Sequence, residues 1–115
     1  MDSDRELLKG NTQTLVLAIL REQPLHGYAI AREIERRSKT GLKFLDGTLY
    51  PALKALESGG FIVGAWEPME NAPPRKVYRM TEDGLREFER RAAAWQKFAR
   101  MIDSILSPQP ARQGE

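Results

Sequence analysis

Apolar residues recur at helical spacing in four stretches of the chain, and a strand-like pair of runs lies between the third and fourth. From about Glu6 to Arg21, the residues Leu8, Thr12, Leu15, Val16, Ile19 and Leu20 form a wide apolar stripe. Gly10 weakens that helix near its start, and Pro24 ends it. A second helix begins near His26 or Gly27 and runs to about Ser38, with Gly27, Ile30, Ala31 and Ile34 inward. Thr40-Gly41 is its expected stop.

The third helix carries the sharpest pattern. Leu49, Ala52, Leu53 and Leu56 fall at i, i+3, i+4 and i+7 and so share one face. Asp46 suits its N-cap, and Ser58-Gly59-Gly60 its end. Pro51 directs its missing donor back to Gly47, at the helix start, where the loss is tolerated. The opposite face presents Thr48, Tyr50, Pro51 and Lys54. These side chains can hydrogen-bond, stack, touch a methyl group and neutralise a phosphate, which suits a DNA groove.

Phe61–Trp66 and Val77–Met80 then read as strands, being rich in aromatic and β-branched residues. The proline-rich segment between them is expected to break the ladder and form a hairpin tip. Trp66 and Tyr78 are expected to pair across that hairpin and pack on the sheet, with stacking on DNA as the competing reading. Helix, helix, helix, hairpin is the order of a winged helix-turn-helix.

Thr81 is a good N-cap for the last helix, and Glu82 and Asp83 suit the positive end of its dipole. It runs to about Leu106, roughly 37 Å. Leu85, Phe88, Ala92, Trp95, Ala99, Ile102 and Leu106 alternate by three and four, a heptad seam. A helix so long cannot cover this seam with its own small domain, so a homodimer is expected. The alternative is an amphipathic helix packed within one chain. Phe98 and Ile105 widen the stripe, which suggests packing against more than one helix. Trp95, with Phe98 beside it, could line a ligand cleft between subunits or serve only to pack the interface. Three regions follow: a DNA-binding unit over 1–80, a dimerisation helix over 81–107 and a disordered tail over 108–115.

Composition narrows the function. The formal net charge is +2 with a pI near 9.1, so the placement of charge matters more than its sum. There is no cysteine and one histidine, which leaves neither disulfides nor a probable metal site; His26 is expected to cap or brace a turn. No phosphate-binding glycine loop is present, and Glu82-Asp83 is explained by capping, so an enzyme is not expected. No cofactor is implied. The lack of a long apolar run and of a signal-peptide core in Met1–Glu6 points to the cytoplasm, away from membranes.

Three segments carry a family likeness: Pro24-Leu-His-Gly-Tyr-Ala-Ile30; Gly47-Thr-Leu-Tyr-Pro-Ala-Leu-Lys-Ala-Leu-Glu57 followed by Gly60-Phe-Ile62; and Arg75-Lys-Val-Tyr-Arg-Met-Thr-Glu-Asp-Gly84. By their order and spacing the chain resembles the PadR family of transcriptional regulators, over nearly all of Leu7 to Leu106, and its single last helix is similar to the short subgroup. The resemblance implies a winged-helix dimer on palindromic operator DNA, usually a repressor, released in some members by a planar aromatic ligand between subunits. Ala29 departs from a position often acidic in relatives, Ser58-Gly59 from a pair often charged, and the Pro-rich wing from a Gly/Arg-rich one.

The expected DNA contacts are Thr48, Tyr50, Pro51 and Lys54 on the third helix, Lys43 before it, Tyr28 on the second helix, and Arg75 and Lys76 in the wing. Solvated surface cations, a Tyr28 filling the core beneath the third helix and a Tyr50 packed under the wing are the competing readings. A dimeric winged-helix module that binds protein instead of DNA is the competing function.

Overall fold

The computed structural model describes residues 10–39, 42–43 and 46–111. The described residues form four helices, α1 (Thr12–Leu20), α2 (Gly27–Arg37), α3 (Asp46–Ser58) and α4 (Glu82–Leu106). They also form three antiparallel strands, β1 (Leu25–His26), β2 (Ile62–Met69) and β3 (Ala72–Met80), in a sheet of order β1-β3-β2. This is the winged helix-turn-helix expected from the sequence, with a third strand added.

The core gathers Val16, Leu17 and Leu20 of α1, Ile30 and Ile34 of α2, Leu49, Leu53 and Leu56 of α3, and Ile62 and Tyr78 of the sheet. α1 touches the other three helices and the sheet. That central place explains why Leu17, outside the expected stripe, is fully buried: a helix apolar on most sides is covered on most sides. The helix begins only after Gly10, at Thr12. The expected turn at Glu6–Lys9, the stop at Thr40-Gly41 and the capping side chain of Asp46 lie outside the described residues.

α3 ends as its sequence dictates. Gly60 takes a φ of 80°, Gly60 N–H donates to the Glu57 carbonyl at 3.1 Å, and Phe61 N–H donates to the Leu56 carbonyl at 2.9 Å. These are the two bonds of a Schellman stop, in which only glycine takes the left-handed position without penalty. The chain then enters β2 at once.

Two hairpin expectations need correction. The strands extend almost to the turn, pairing Trp66 with Lys76, Glu67 with Arg75 and Met69 with Ala72, with an irregularity between Glu67 and Met69. Pro68, Pro73 and Pro74 therefore lie inside strands. They are tolerated because β2 is an edge strand, and because β1 pairs with β3 only at Val77 and Tyr78. Toward the tip each strand has one open side, where a missing donor breaks no ladder. Asn71 closes the turn with φ 59°, a conformation asparagine tolerates better than most residues. Nor do Trp66 and Tyr78 face each other. Tyr78 sits opposite Gly64, and Trp66, diagonal to it, is 68% exposed.

Candidate nucleic-acid interface

α3 is held by its inner face and open on its outer one. Leu49, Ala52, Leu53 and Leu56 are all buried. Gly47, Tyr50, Pro51, Lys54, Ala55 and Ser58 are exposed, and Thr48 is half-buried. The exposed Gly47 leaves the carbonyl that Pro51 cannot serve open to water, so the proline costs the helix little.

Tyr50 does two things at once. Its ring edge lies against buried Gly27, with Cε1 3.4 Å from where a Gly27 Cβ would stand, yet the side chain remains 59% exposed. The ring is thus propped outward by α2. Tyr28 stands next to that contact and is 62% exposed. Arg32, one turn on, donates to the Tyr28 hydroxyl at 2.8 Å and lies over its ring at 5.5 Å. Arg32 belongs to this surface although the sequence reading assigned it no role. The i,i+4 spacing of Tyr28 and Arg32 was the available signal.

His26 caps α2, its Nδ1 accepting from Ala29 N–H at 3.4 Å. Burial, helped by nearby Arg75 and opposed by Glu67, pushes its pKa below the usual histidine value. A neutral imidazole is what an accepting Nδ1 needs.

The wing is braced against α3. Lys76 Nζ donates to Glu57 Oε1 at 3.0 Å, and Gly64 N–H donates to Glu57 Oε2 at 3.3 Å. The hydrogen bond it donates to Glu57 holds Lys76 above the ordinary lysine range. Gly64 leaves room for this: a Cβ there would lie 2.4 Å from Lys76 Cε and 3.1 Å from Glu57 Oε2. Lys76 is therefore engaged within the domain, whereas Lys43, Arg75 and Arg79 are exposed. Glu57 and Lys76 are 19 residues apart, and no local pattern relates them.

A second concavity lies along α4. Leu15 of α1, Leu42, and Trp95, Phe98, Ala99 and Ile102 of α4 line a cleft of about 660 Å³, with Asn11, Thr14, Gln96 and Asp103 also in its wall. It lies within one chain. The heptad positions separate along the helix: Phe88 packs on the domain's own core, Leu85 is 41% exposed, and Trp95 and Leu106 are 52% and 73% exposed.

Comparison with known proteins agrees with this geometry. A solved transcriptional regulator from Clostridium thermocellum superposes with a TM-score of 0.82 over 89% of this chain and 99% of its own. At 24% identity it speaks for the fold alone. A PadR family transcriptional regulator from Eggerthella lenta is 34% identical, with a TM-score of 0.77 over 90% of this chain and 88% of its own. A protein encoded in a Streptomyces fradiae transposon is 37% identical over 84% of this chain, which spans 26% of that protein. The model of the PadR-like transcriptional regulators matches residues 16–90, from α1 through the first third of α4. The chain belongs to the PadR-like family of transcriptional regulators.

Proposed function

We propose that the chain is a homodimeric repressor that binds palindromic operator DNA through α3 and the wing and is released by a small planar aromatic ligand. One observation carries the DNA-binding part. α3 is clamped by Leu49, Leu53 and Leu56 while Tyr50, Pro51 and Lys54 stand outward beside the wing. That is the arrangement by which a recognition helix enters a major groove.

Around it, Thr48 and Tyr28 supply hydroxyls for phosphate or base edges, and Lys43 and Arg75 supply cations for the backbone. Lys76 contributes chiefly through its bond to Glu57, which fixes the wing. Pairing of two chains through α4 sets two α3 helices about one DNA turn, ~34 Å, apart. The 660 Å³ cleft with Trp95 and Phe98 has the size and apolar lining of a small-molecule site. The elongated shape supports a dimer: the radius of gyration is 17.8 Å, against about 13 Å for a compact domain of this length.

The test is a fluorescence-anisotropy titration of a duplex from the gene's own upstream region, across a range of salt concentrations. Binding should weaken as salt rises. Lys54→Ala should lower affinity by roughly ten-fold and shrink the slope of log K against log salt by about 0.9. Absence of salt-dependent binding to any duplex at low salt would overturn the reading in favour of a protein-binding winged-helix module.

A further inference from the structure

Trp66 is 68% exposed, the most exposed of the aromatic side chains among the described residues. The hairpin pairing fixes its direction. Side chains alternate along a strand, so Trp66 shares a face with Ile62 and Gly64, and across the ladder with Lys76, Tyr78 and Met80. Ile62 and Tyr78 are buried on that face, and Lys76 reaches Glu57 of α3 from it. Trp66 thus projects from the α3 side of the wing, two residues beyond the last point at which the domain covers the sheet.

On the α3 side, the wing's charge is answered by its brace. Lys76 is bonded to Glu57, and Arg75 stands directly opposite Glu67 in the ladder. Glu70 lies in the turn. The exposed Arg75 and Arg79 lie on the opposite face, so on the α3 side Lys76 is the wing's only cation among the described residues, and it is already engaged. That side is well suited to present one large flat apolar surface beside the recognition helix, at an angle set by the Glu57–Lys76–Gly64 brace.

We infer that Trp66 is the wing's contact with duplex DNA, laid against the sugar and base edges of the groove next to the one that α3 enters. The contact is non-ionic. The inference rests on the DNA-binding reading, and it makes a prediction that a cationic wing would not. Losing a non-ionic contact lowers affinity equally at every salt concentration, because no counterion release goes with it.

The experiment has two arms. In a Trp95→Phe protein whose duplex affinity has been shown to match wild type, Trp66 is the sole tryptophan. Its emission should change on saturation with the upstream duplex at low salt, and acrylamide should quench it less in the complex. In the second arm, Trp66→Ala should lower affinity on the order of ten-fold and leave the salt slope unchanged, while Arg75→Ala serves as the ionic comparison. Trp66→Phe should retain most of the affinity and guards against a folding defect in the alanine variant, with circular dichroism confirming the fold of both.

If the wild-type protein binds duplex but Trp66 emission does not respond and Trp66→Ala binds as tightly as wild type, the inference fails while the DNA-binding reading stands. That result would leave Trp66 to a protein partner. If the wild-type protein binds no duplex, the underlying reading fails as well. A slope that falls in Trp66→Ala as it does in Arg75→Ala would also overturn the inference, since the contact would then be acting on phosphates.

Discussion

The two halves of α4 are one continuous helix and yet sit in opposite circumstances. The first half is fastened. Thr81 Oγ1 accepts from Gly84 N–H at 3.0 Å and donates to the Gly60 carbonyl at 2.7 Å, while Thr81 N–H donates to the Phe61 carbonyl at 3.1 Å. Phe88 packs on the core with the Arg21 guanidinium 4.8 Å from its ring centre. Arg91 donates to Gln13 of α1 at 2.8 Å and also bonds Glu87. Beyond Ala92 the same helix exposes Trp95 (52%), Phe98 (56%), Met101 (49%), Ile105 (77%) and Leu106 (73%).

The contrast separates starting a helix from needing it. A segment as short as Trp95–Leu106 is marginal alone in water, because the first turn is costly to form. Here the anchored half supplies that turn, and the exposed half only extends it. Extension does not explain the apolar side chains, each of which gains about 1.5–3 kcal/mol when fully covered. An exposed apolar surface of this extent marks a binding face. The first half thus serves the domain, and the second is best accounted for by the proposed partner chain.

The contrast can be broken at either end. The largest effect is expected from Trp95→Ala combined with Ile102→Ala. The dimer dissociation constant should rise by about a thousand-fold, roughly 4 kcal/mol. Sedimentation equilibrium measures this, and a wild-type monomer, or an unchanged association in the variant, would remove this half of α4 as an interface. Next is Gly84→Ala in the anchored half. A Cβ at Gly84 would stand 2.0 Å from the Phe61 carbonyl oxygen, so backbone must move. A loss of about 3 kcal/mol is expected, seen as a lower urea midpoint with the slope m unchanged. A midpoint within error of wild type would show that the junction yields freely.

The smallest effect concerns pH. Hydrogen bonds from Arg90 and Arg91 hold the Glu87 carboxyl at about 2, against an ordinary 4.5. Its folded pKa is depressed, so its contribution to stability is complete above pH 4.5 and is lost as the pH falls toward 2. Glu87→Gln should therefore unfold with a shallower acid dependence between those values than wild type. Superimposable acid-unfolding curves would show that the Glu87–Arg91 link does not help fasten α4.

Much of the fold was legible because it is local. The period of Leu49, Ala52, Leu53 and Leu56 identified the buried face of α3, and Gly59-Gly60 marked its end. Thr81 announced the start of α4 by chemistry that acts within three residues. The candidate site was legible in outline for the same reason: once one face of α3 is buried, the outward position of Tyr50 and Lys54 follows. The two-residue β1 was not legible, since a strand that short carries no period. The Glu57–Lys76 bond was equally hidden, because it depends on α3 and β3 meeting in space. So was the outward direction of Trp66. An aromatic residue in a strand reads as a packing residue until the length of the covering helix is known.

The sequence by itself therefore determined the four described helices, the buried face of α3 and its stop, since these depend on neighbours within about a turn of helix. Its three segments of family likeness also carried the assignment that comparison with known proteins supports. Tertiary structure decided which cations are engaged, which aromatic side chains are left uncovered, and where along α4 the seam passes from its own domain to open surface. Phe88 and Trp95 lie one heptad apart on the same seam, and the pattern treats them alike. Only the finite extent of α1 and the sheet, which cover one and not the other, gives them different surroundings.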